Sequence, residues 1–213
     1  MKNYEINKKT FLKKMAGNSL KYKRYLGAPI KYAGGKSLAV GTIIEYLPTN
    51  INKVISPFIG GGSVEIAIAT EIGIPVIGYD IFDILVNFWN EFINNKDKLI
   101  SNLKDLTPDK EFYAKIRGEL KLVWKKKKTL PKDELAWKYF FNHNLSYGPG
   151  FLGWMSSNYL DKNKYDNMIK KLSLKKNHNI EVYCDSFENV IPKHNQDFMY
   201  LDPPILFRWG NFI

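Results

Sequence analysis

Short apolar runs alternate with helical patterns at both ends of the chain. Four runs have the length of a strand, and they cover residues 54–58, 75–80, 180–185 and 197–202. A helical pattern over residues 63–72 follows the first run, and mostly helical patterns fill residues 81–175. Buried strands that alternate with helices predict an α/β fold with a doubly wound parallel sheet.

The first apolar run leads directly into three consecutive glycines, Gly60 to Gly62. Glycine lets a ligand approach the open backbone amides at the start of the following helix. Asp80 ends the next run, about twenty residues later, where a carboxylate can accept both hydroxyls of a bound ribose. The turn and the acid together indicate a nucleoside-containing cofactor, although Asp80 would also suit the N-cap of a helix.

A second glycine turn, Gly34-Gly35-Lys36-Ser37, precedes the first apolar run. It is not a phosphate-binding P-loop, because the first glycine of that motif would fall on Ile30. A lysine at a helix start can still bind a small carboxylate, since its charge and the backbone amides converge there.

Two further acids stand at the ends of the last apolar runs. Asp185 follows residues 180–184, and Asp202 is followed by Pro203 and Pro204. Two prolines cannot donate to a strand ladder, and they hold a rigid turn with free carbonyls. Acids at such positions lie on the ligand-binding edge of an open α/β sheet.

Residues 137–159 mix aromatic side chains, amides and glycines, which suits contact with DNA base edges and stacking. The alternative is an aromatic loop packed over the core. The three histidines show no metal-ligand spacing, so no metal site is expected. The predicted DNA-binding residues are Asn142, Asn144, Ser146, Tyr147 and Trp154.

Composition narrows the class of protein. The 213 residues are 45% hydrophobic, enough for one sizeable core, and the net charge of +11 favours a polyanionic partner such as nucleic acid. A Lys- and Asn-rich composition would also arise from a skewed genome. The chain shows no signal peptide or membrane-length apolar run, and its single cysteine, Cys184, favours a soluble protein in a reducing intracellular compartment.

Five motifs in order resemble those of the D12 class (Dam-like) DNA adenine methyltransferases, over roughly residues 28 to 204. They are Tyr32-Ala33-Gly34-Gly35-Lys36, Ser56-Pro57-Phe58-Ile59-Gly60-Gly61-Gly62-Ser63, Tyr79-Asp80, Tyr183-Cys184-Asp185-Ser186-Phe187 and Tyr200-Leu201-Asp202-Pro203-Pro204. The resemblance implies a Rossmann-like domain that moves the methyl group of S-adenosylmethionine to N6 of an adenine flipped out of double-stranded DNA.

The resemblance also implies a domain plan. Residues 1–27 would be a basic N-terminal extension, residues 28–90 and 176–213 the catalytic domain, and residues 91–175 an inserted, mainly helical target-recognition lobe. Tyr32, Lys36, Phe58, Gly60, Asp80, Asp185, Phe187 and Asp202 would form the cofactor site, with Lys36 near the methionine carboxylate. Asp202, Pro203 and Pro204 would be catalytic, because Asp202 and the carbonyl of Pro203 would accept hydrogen bonds from the target N6 amino group.

Two features depart from the family pattern. Ile205 stands where the family has an aromatic residue that stacks on the flipped adenine. The chain ends at Ile213, so we expect the C-terminal strands of the sheet to be missing, as in a truncated or frameshifted product, unless a partner chain supplies them. One alternative is therefore an inactive remnant that only binds DNA or cofactor. A further alternative is an NAD-dependent oxidoreductase, which leaves Asp202-Pro203-Pro204 and the basic charge unexplained.

Overall fold

A computed structural model describes residues 4–48, 50–148 and 150–204, and a three-stranded parallel sheet lies at its centre. The strands are β1 (Val54–Ser56), β2 (Val76–Asp80) and β3 (Ile180–Cys184). β2 is the middle strand, and Val76 lies opposite Val54 on one side and Ile180 on the other. The apolar runs form these strands because their branched side chains are buried, so the predicted parallel α/β sheet is confirmed.

The fourth apolar run lies along the outer side of β1. The amide of Ile55 donates to the carbonyl of Phe198 at 2.9 Å, and the amide of Tyr200 donates to the carbonyl of Ile55 at 2.8 Å. This pairing is parallel. Asp202 therefore leaves the sheet at the edge where β1 and β2 end.

Helices before and after the glycine turn complete this part of the fold. α1 (Tyr4–Met15) packs against α2 (Val40–Tyr46) and buries Phe11 and Met15, so the basic N-terminal extension joins the core. After the turn, α3 (Ser63–Ile66) continues as a π-helix over Ala67–Ile72. It ends at Gly73, whose φ of 88° requires glycine.

The helices between β2 and β3 pack around one buried helix. α4 (Asp83–Asn94) lies against the sheet, and it is followed by α5 (Lys96–Lys104), α6 (Lys110–Trp124), α7 (Lys132–Leu145), a 3₁₀ turn (Ser157–Leu160) and α8 (Lys162–Ser173). α7 contacts α4, α5 and α6, and it buries Tyr139, Phe140 and Phe141. The first half of the aromatic segment thus belongs to a core that is continuous with the sheet. α9 (Phe187–Lys193) follows β3.

Within the described ranges, none of the helices has the length and apolar character needed to cross a membrane. Ile205 and the rest of the apolar tail to Ile213 lie outside the described residues.

Candidate functional site

A cavity of about 620 Å³ opens at the carboxyl edge of the sheet. The glycine turn forms its floor, and the segments that carry the two later acids form its sides. All of the residues predicted for cofactor binding and catalysis line this cavity, namely Tyr32, Lys36, Phe58, Gly60, Asp80, Asp185, Phe187, Asp202, Pro203 and Pro204.

The glycine turn is closely packed from two sides. A Cβ atom at Gly61 would lie 2.5 Å from the Cβ of Tyr32, and one at Gly62 would lie 2.5 Å from the ring of Trp89. Gly62 also has a φ of 64°, which disfavours other residues. The indole N–H of Trp89 donates to the carbonyl of Gly60 at 2.9 Å. These contacts fix the turn between Tyr32 and Trp89.

Asp80 is held at the end of β2 by two backbone amides. Its Oδ2 accepts from the amide of Gly60 at 3.1 Å, and its Oδ1 accepts from the amide of Phe82 at 3.0 Å. Burial raises the pKa of this carboxyl, and the two amides partly oppose that shift. α4 has Phe82 at its N-cap position, so Asp80 is not the N-cap of that helix.

The end of the cavity near β3 is aromatic and acidic. The rings of Phe58 and Phe187 lie 5.3 Å apart between centroids and are tilted by 35°. Asp185 accepts from the side-chain amide of Asn189 and from the amide of Ser186, both at 2.8 Å. These bonds lower the pKa of Asp185 and keep it ionised. This end therefore combines an apolar wall with a fixed acceptor.

The opposite end of the cavity holds an ion pair that the sequence did not indicate. The ammonium of Lys36 lies 2.6 Å from Oδ1 of Asp202 and also donates to the carbonyl of Gly34 at 2.9 Å. Burial raises the pKa of Tyr200, and the nearby carboxylates of Glu65 and Asp202 add to that effect. Lys36 is thus paired with the predicted catalytic acid, and no local pattern connects these distant positions.

Glu65 is a second feature that the sequence analysis missed. It is only 3% exposed, and its Oε1 accepts from the hydroxyl of Ser56 at 2.6 Å. Burial raises the pKa of Glu65 to about 7, and the charge of Asp202 contributes to the increase. The available signal was a glutamate inside an apolar helix, directly after the glycine turn.

The predicted DNA-binding residues divide into a buried and an exposed group. Asn142, Asn144 and Ser146 are buried. Their polar atoms bond within the chain, for example from the amide of Leu152 to Oδ1 of Asn142 at 2.8 Å. Three of the five residues therefore hold local structure in this conformation.

Tyr147 and Trp154 form the exposed group, with 86% and 76% of their surface open. The amide of Tyr147 donates to the carbonyl of Trp154 at 2.7 Å. This bond belongs to a short antiparallel pairing of residues 145–147 with residues 154–156. We call the paired residues 145–147 and 154–156 the α7 hairpin, since they begin where α7 ends. The guanidinium of Arg117 stacks on Trp154, 4.3 Å from the ring centre.

Together these features define a class of protein, namely an α/β protein with a nucleotide-type cavity at the carboxyl edge of a parallel sheet. The family follows from comparison with known proteins. The chain belongs to the family of D12 class N6 adenine-specific DNA methyltransferases, whose model matches residues 32–206. This match confirms the resemblance, and it includes the Asp202-Pro203-Pro204 motif.

Several curated methyltransferases are similar to the chain. It is 28% identical over 198 residues to the Type II methyltransferase M.MjaIII of Methanocaldococcus jannaschii, which covers 82% of the chain and 68% of that protein. It is 27% identical to the Type II methyltransferase M.FokI of Planomicrobium okeanokoites, over 94% of the chain and 32% of the relative. It is 23% identical to the Modification methylase StsI of Streptococcus sanguinis, over 89% of the chain and 30% of the relative. The chain thus spans about two thirds of the first relative and about one third of the other two.

Proposed function

We propose that the chain is a site-specific DNA methyltransferase that transfers the methyl group of S-adenosylmethionine to N6 of an adenine flipped out of double-stranded DNA. The observation that carries this proposal is the single cavity that joins the glycine turn and Asp80 to the Asp202-Pro203 corner. Family membership favours methyl transfer over nicotinamide chemistry. The reaction would occur inside the cell, where DNA is the substrate.

The residues of the cavity fit the proposed cofactor. The backbone of all three glycines of the turn lines the cavity, and glycine lets a ligand approach the backbone closely. Asp80 keeps free lone pairs after its two amide bonds, so it can accept the ribose hydroxyls. Asp185 would accept from the adenine amino group of the cofactor, and Phe58 and Phe187 would contact its ring. When bound, S-adenosylmethionine supplies a methyl group that its sulfonium already activates.

The catalytic task of the chain is to make the adenine N6 amino group nucleophilic. Its lone pair is delocalised into the ring, so two acceptors that bind its hydrogens favour a more tetrahedral nitrogen. Asp202 and the carbonyl of Pro203 would be these acceptors, and the prolines fix their relative position. Positioning for in-line transfer would then carry much of the rate.

Lys36 is proposed to position Asp202 and also to bind the cofactor. Its ammonium has three donors, of which one is directed to Asp202 and one to Gly34. The third donor remains for the carboxylate of the cofactor. Because Lys36 contacts only Oδ1 of Asp202, the second oxygen of Asp202 would be left to accept from the target amino group.

The helical segment 91–175 is proposed to be the target-recognition lobe, with residues 28–90 and 176–213 as the catalytic domain. The α7 hairpin supports this role because Tyr147 and Trp154 are large, exposed and next to a guanidinium. The net charge of +11 favours binding to the phosphate backbone. Extrusion of the base costs a few kcal/mol, which such contacts can offset.

The test is a transfer assay with methyl-tritiated S-adenosylmethionine and duplex DNA of mixed sequence, followed by mass spectrometry of the nucleosides. We expect N6-methyladenine from the unmodified chain. Asp202→Asn should lower the rate by about 10²–10³, the usual loss for one preorganised polar contact. Asp166→Asn is the matched control, because Asp166 pairs with Lys162 on the surface of α8, and it should keep full activity.

Two results would contradict the proposal, namely methylation of a base other than adenine, or full activity of the Asp202→Asn chain. Cofactor binding without any transfer would instead favour the inactive remnant.

A further inference from the structure

The end of α7 contacts the segment that carries Tyr32 through two neighbouring side chains. Nε2 of His143 donates to the carbonyl of Lys31 at 2.6 Å, and Oδ1 of Asn144 accepts from the amide of Lys31 at 3.5 Å. The ring of His143 also lies nearly parallel to that of Tyr32, with 5.6 Å between centroids and an angle of 16°. Both backbone groups of Lys31 and the face of Tyr32 therefore depend on α7.

The same turn of α7 supports the α7 hairpin. The hydroxyl of Ser146 donates to the carbonyl of His143 at 2.8 Å, and the amide of Ser156 donates to the carbonyl of Leu145 at 2.7 Å. The exposed Tyr147 follows immediately. The hairpin and the segment that holds Lys31 and Tyr32 are thus both bonded to the last turn of α7.

Tyr32 in turn touches the floor of the cavity. Its ring lies against Gly60 and its Cβ against Gly61, so close that a Cβ atom at Gly60 would be 3.1 Å from the ring. The ring also lines the cavity. A shift of Tyr32 would therefore change the space beside the glycine turn, where the cofactor is proposed to bind.

Burial of the polar ring of His143 reduces the stability of the folded state. His143 is 3% exposed, and its Nδ1 has no hydrogen-bond partner among residues 4–48, 50–148 and 150–204. Burial also lowers its pKa, which keeps the ring neutral. A buried acceptor without a partner needs an explanation, and an apolar side chain would avoid its cost. The contacts of Nε2 and of the ring face supply that explanation.

We propose that His143 is a positioning residue that couples DNA binding at the α7 hairpin to cofactor binding beside Tyr32. This inference rests on the proposed function, since it needs both ligands. Coupling between two sites is reciprocal, so DNA and cofactor change the affinity for each other by the same factor. That factor must be measured, because contacts between the two sites do not by themselves establish energetic coupling.

The experiment measures the Kd of S-adenosylhomocysteine by calorimetry, with and without saturating duplex DNA of mixed sequence. For the unmodified chain we expect DNA to lower this Kd by about tenfold, within the usual range of coupling factors. His143→Phe keeps a ring against Tyr32 and removes the bond to Lys31, whereas His143→Gln keeps a donor and removes the ring. Each should reduce the factor to about twofold or less.

His178→Gln is the matched control, because His178 is exposed in the segment between α8 and β3, and it should keep the tenfold factor. A folded His143→Phe chain in which DNA lowers the Kd as much as in the unmodified chain would overturn the inference. If that chain does not fold, the His143→Gln chain decides by the same criterion. A factor of one in the unmodified chain would also overturn the inference. Failure of that chain to bind S-adenosylhomocysteine at all would overturn the proposed function, and the inference with it.

Discussion

Replacement of Glu65 by glutamine should stabilise the protein in a pH-dependent way. Glu65 is buried beside the cavity and bonds to the hydroxyl of Ser56. Glutamine has nearly the same shape, and its carbonyl can accept the same bond. The substitution therefore removes the charge of the buried group and keeps its packing.

The size of the effect follows from the pKa of Glu65, which burial raises from 4.5 to about 7. The folded state binds this proton more tightly than the unfolded state, so the stability of the unmodified protein falls as the pH rises from 4.5 through 7. The gap of about 2.5 pH units corresponds to a total of about 3 kcal/mol. Between pH 5 and pH 8 the loss is about 2.5 kcal/mol, because part of the difference is already present at pH 5.

The assay is urea denaturation of both proteins at pH 5, 6, 7 and 8, with the free energy of unfolding compared at each pH. We expect the advantage of Glu65→Gln to grow by about 2.5 kcal/mol from pH 5 to pH 8. Groups that do not interact with Glu65 titrate alike in both proteins, so their contributions cancel in this difference. Glu111→Gln, at an exposed carboxylate of α6, is the control and should give a flat difference because solvent screens that charge.

A difference between Glu65→Gln and the unmodified protein that stays constant across this range would refute the reasoning. It would mean that Glu65 titrates alike in the folded and unfolded states. The buried position beside Asp202 would then have no electrostatic consequence.

Three further predictions concern the floor of the cavity and the α7 hairpin. Asp80→Ala should weaken binding of S-adenosylhomocysteine about 10- to 100-fold by calorimetry, because it removes the charged acceptor proposed for the ribose hydroxyls. Trp154→Ala should weaken DNA binding in a fluorescence titration by about 5- to 100-fold through lost stacking, whereas Tyr46→Ala, at another exposed ring, should not. Gly62→Ala should lower the free energy of unfolding by about 2 kcal/mol or more in thermal melts, because of its positive φ and the nearby Trp89 ring. Gly118→Ala, with open space in α6, should stabilise it by up to about 1 kcal/mol in the same thermal melts.

The strands and the glycine turn were predictable because their signals are local. Val54 and Ile55 lie in a short apolar run, and such a run before consecutive glycines has few other structures available. Parallel topology then brings the ends of the strands to one edge. For this reason Asp80 and Asp202, far apart in the sequence, could both be assigned to one site.

The remaining features depend on packing that no local pattern encodes. The ion pair between Lys36 and Asp202 joins residues that are far apart in the sequence, and only folding brings them together. Asn142 and Asn144 resemble surface amides in the sequence, but α7 is buried by neighbouring helices, and their amides bond to backbone groups there. Glu65 stands between the apolar residues Val64 and Ile66, and only the folded structure shows that its carboxyl is buried beside Ser56.

The central claim is that one cavity holds the methyl donor beside the acid that activates the adenine. The most direct measurement is a crystal structure of the chain with S-adenosylhomocysteine bound. We predict density between the glycine turn and Asp202, with the ribose on Asp80 and the sulfur towards Asp202. Density at another location, such as the smaller cavity lined by Lys171 and Lys175, would contradict the account.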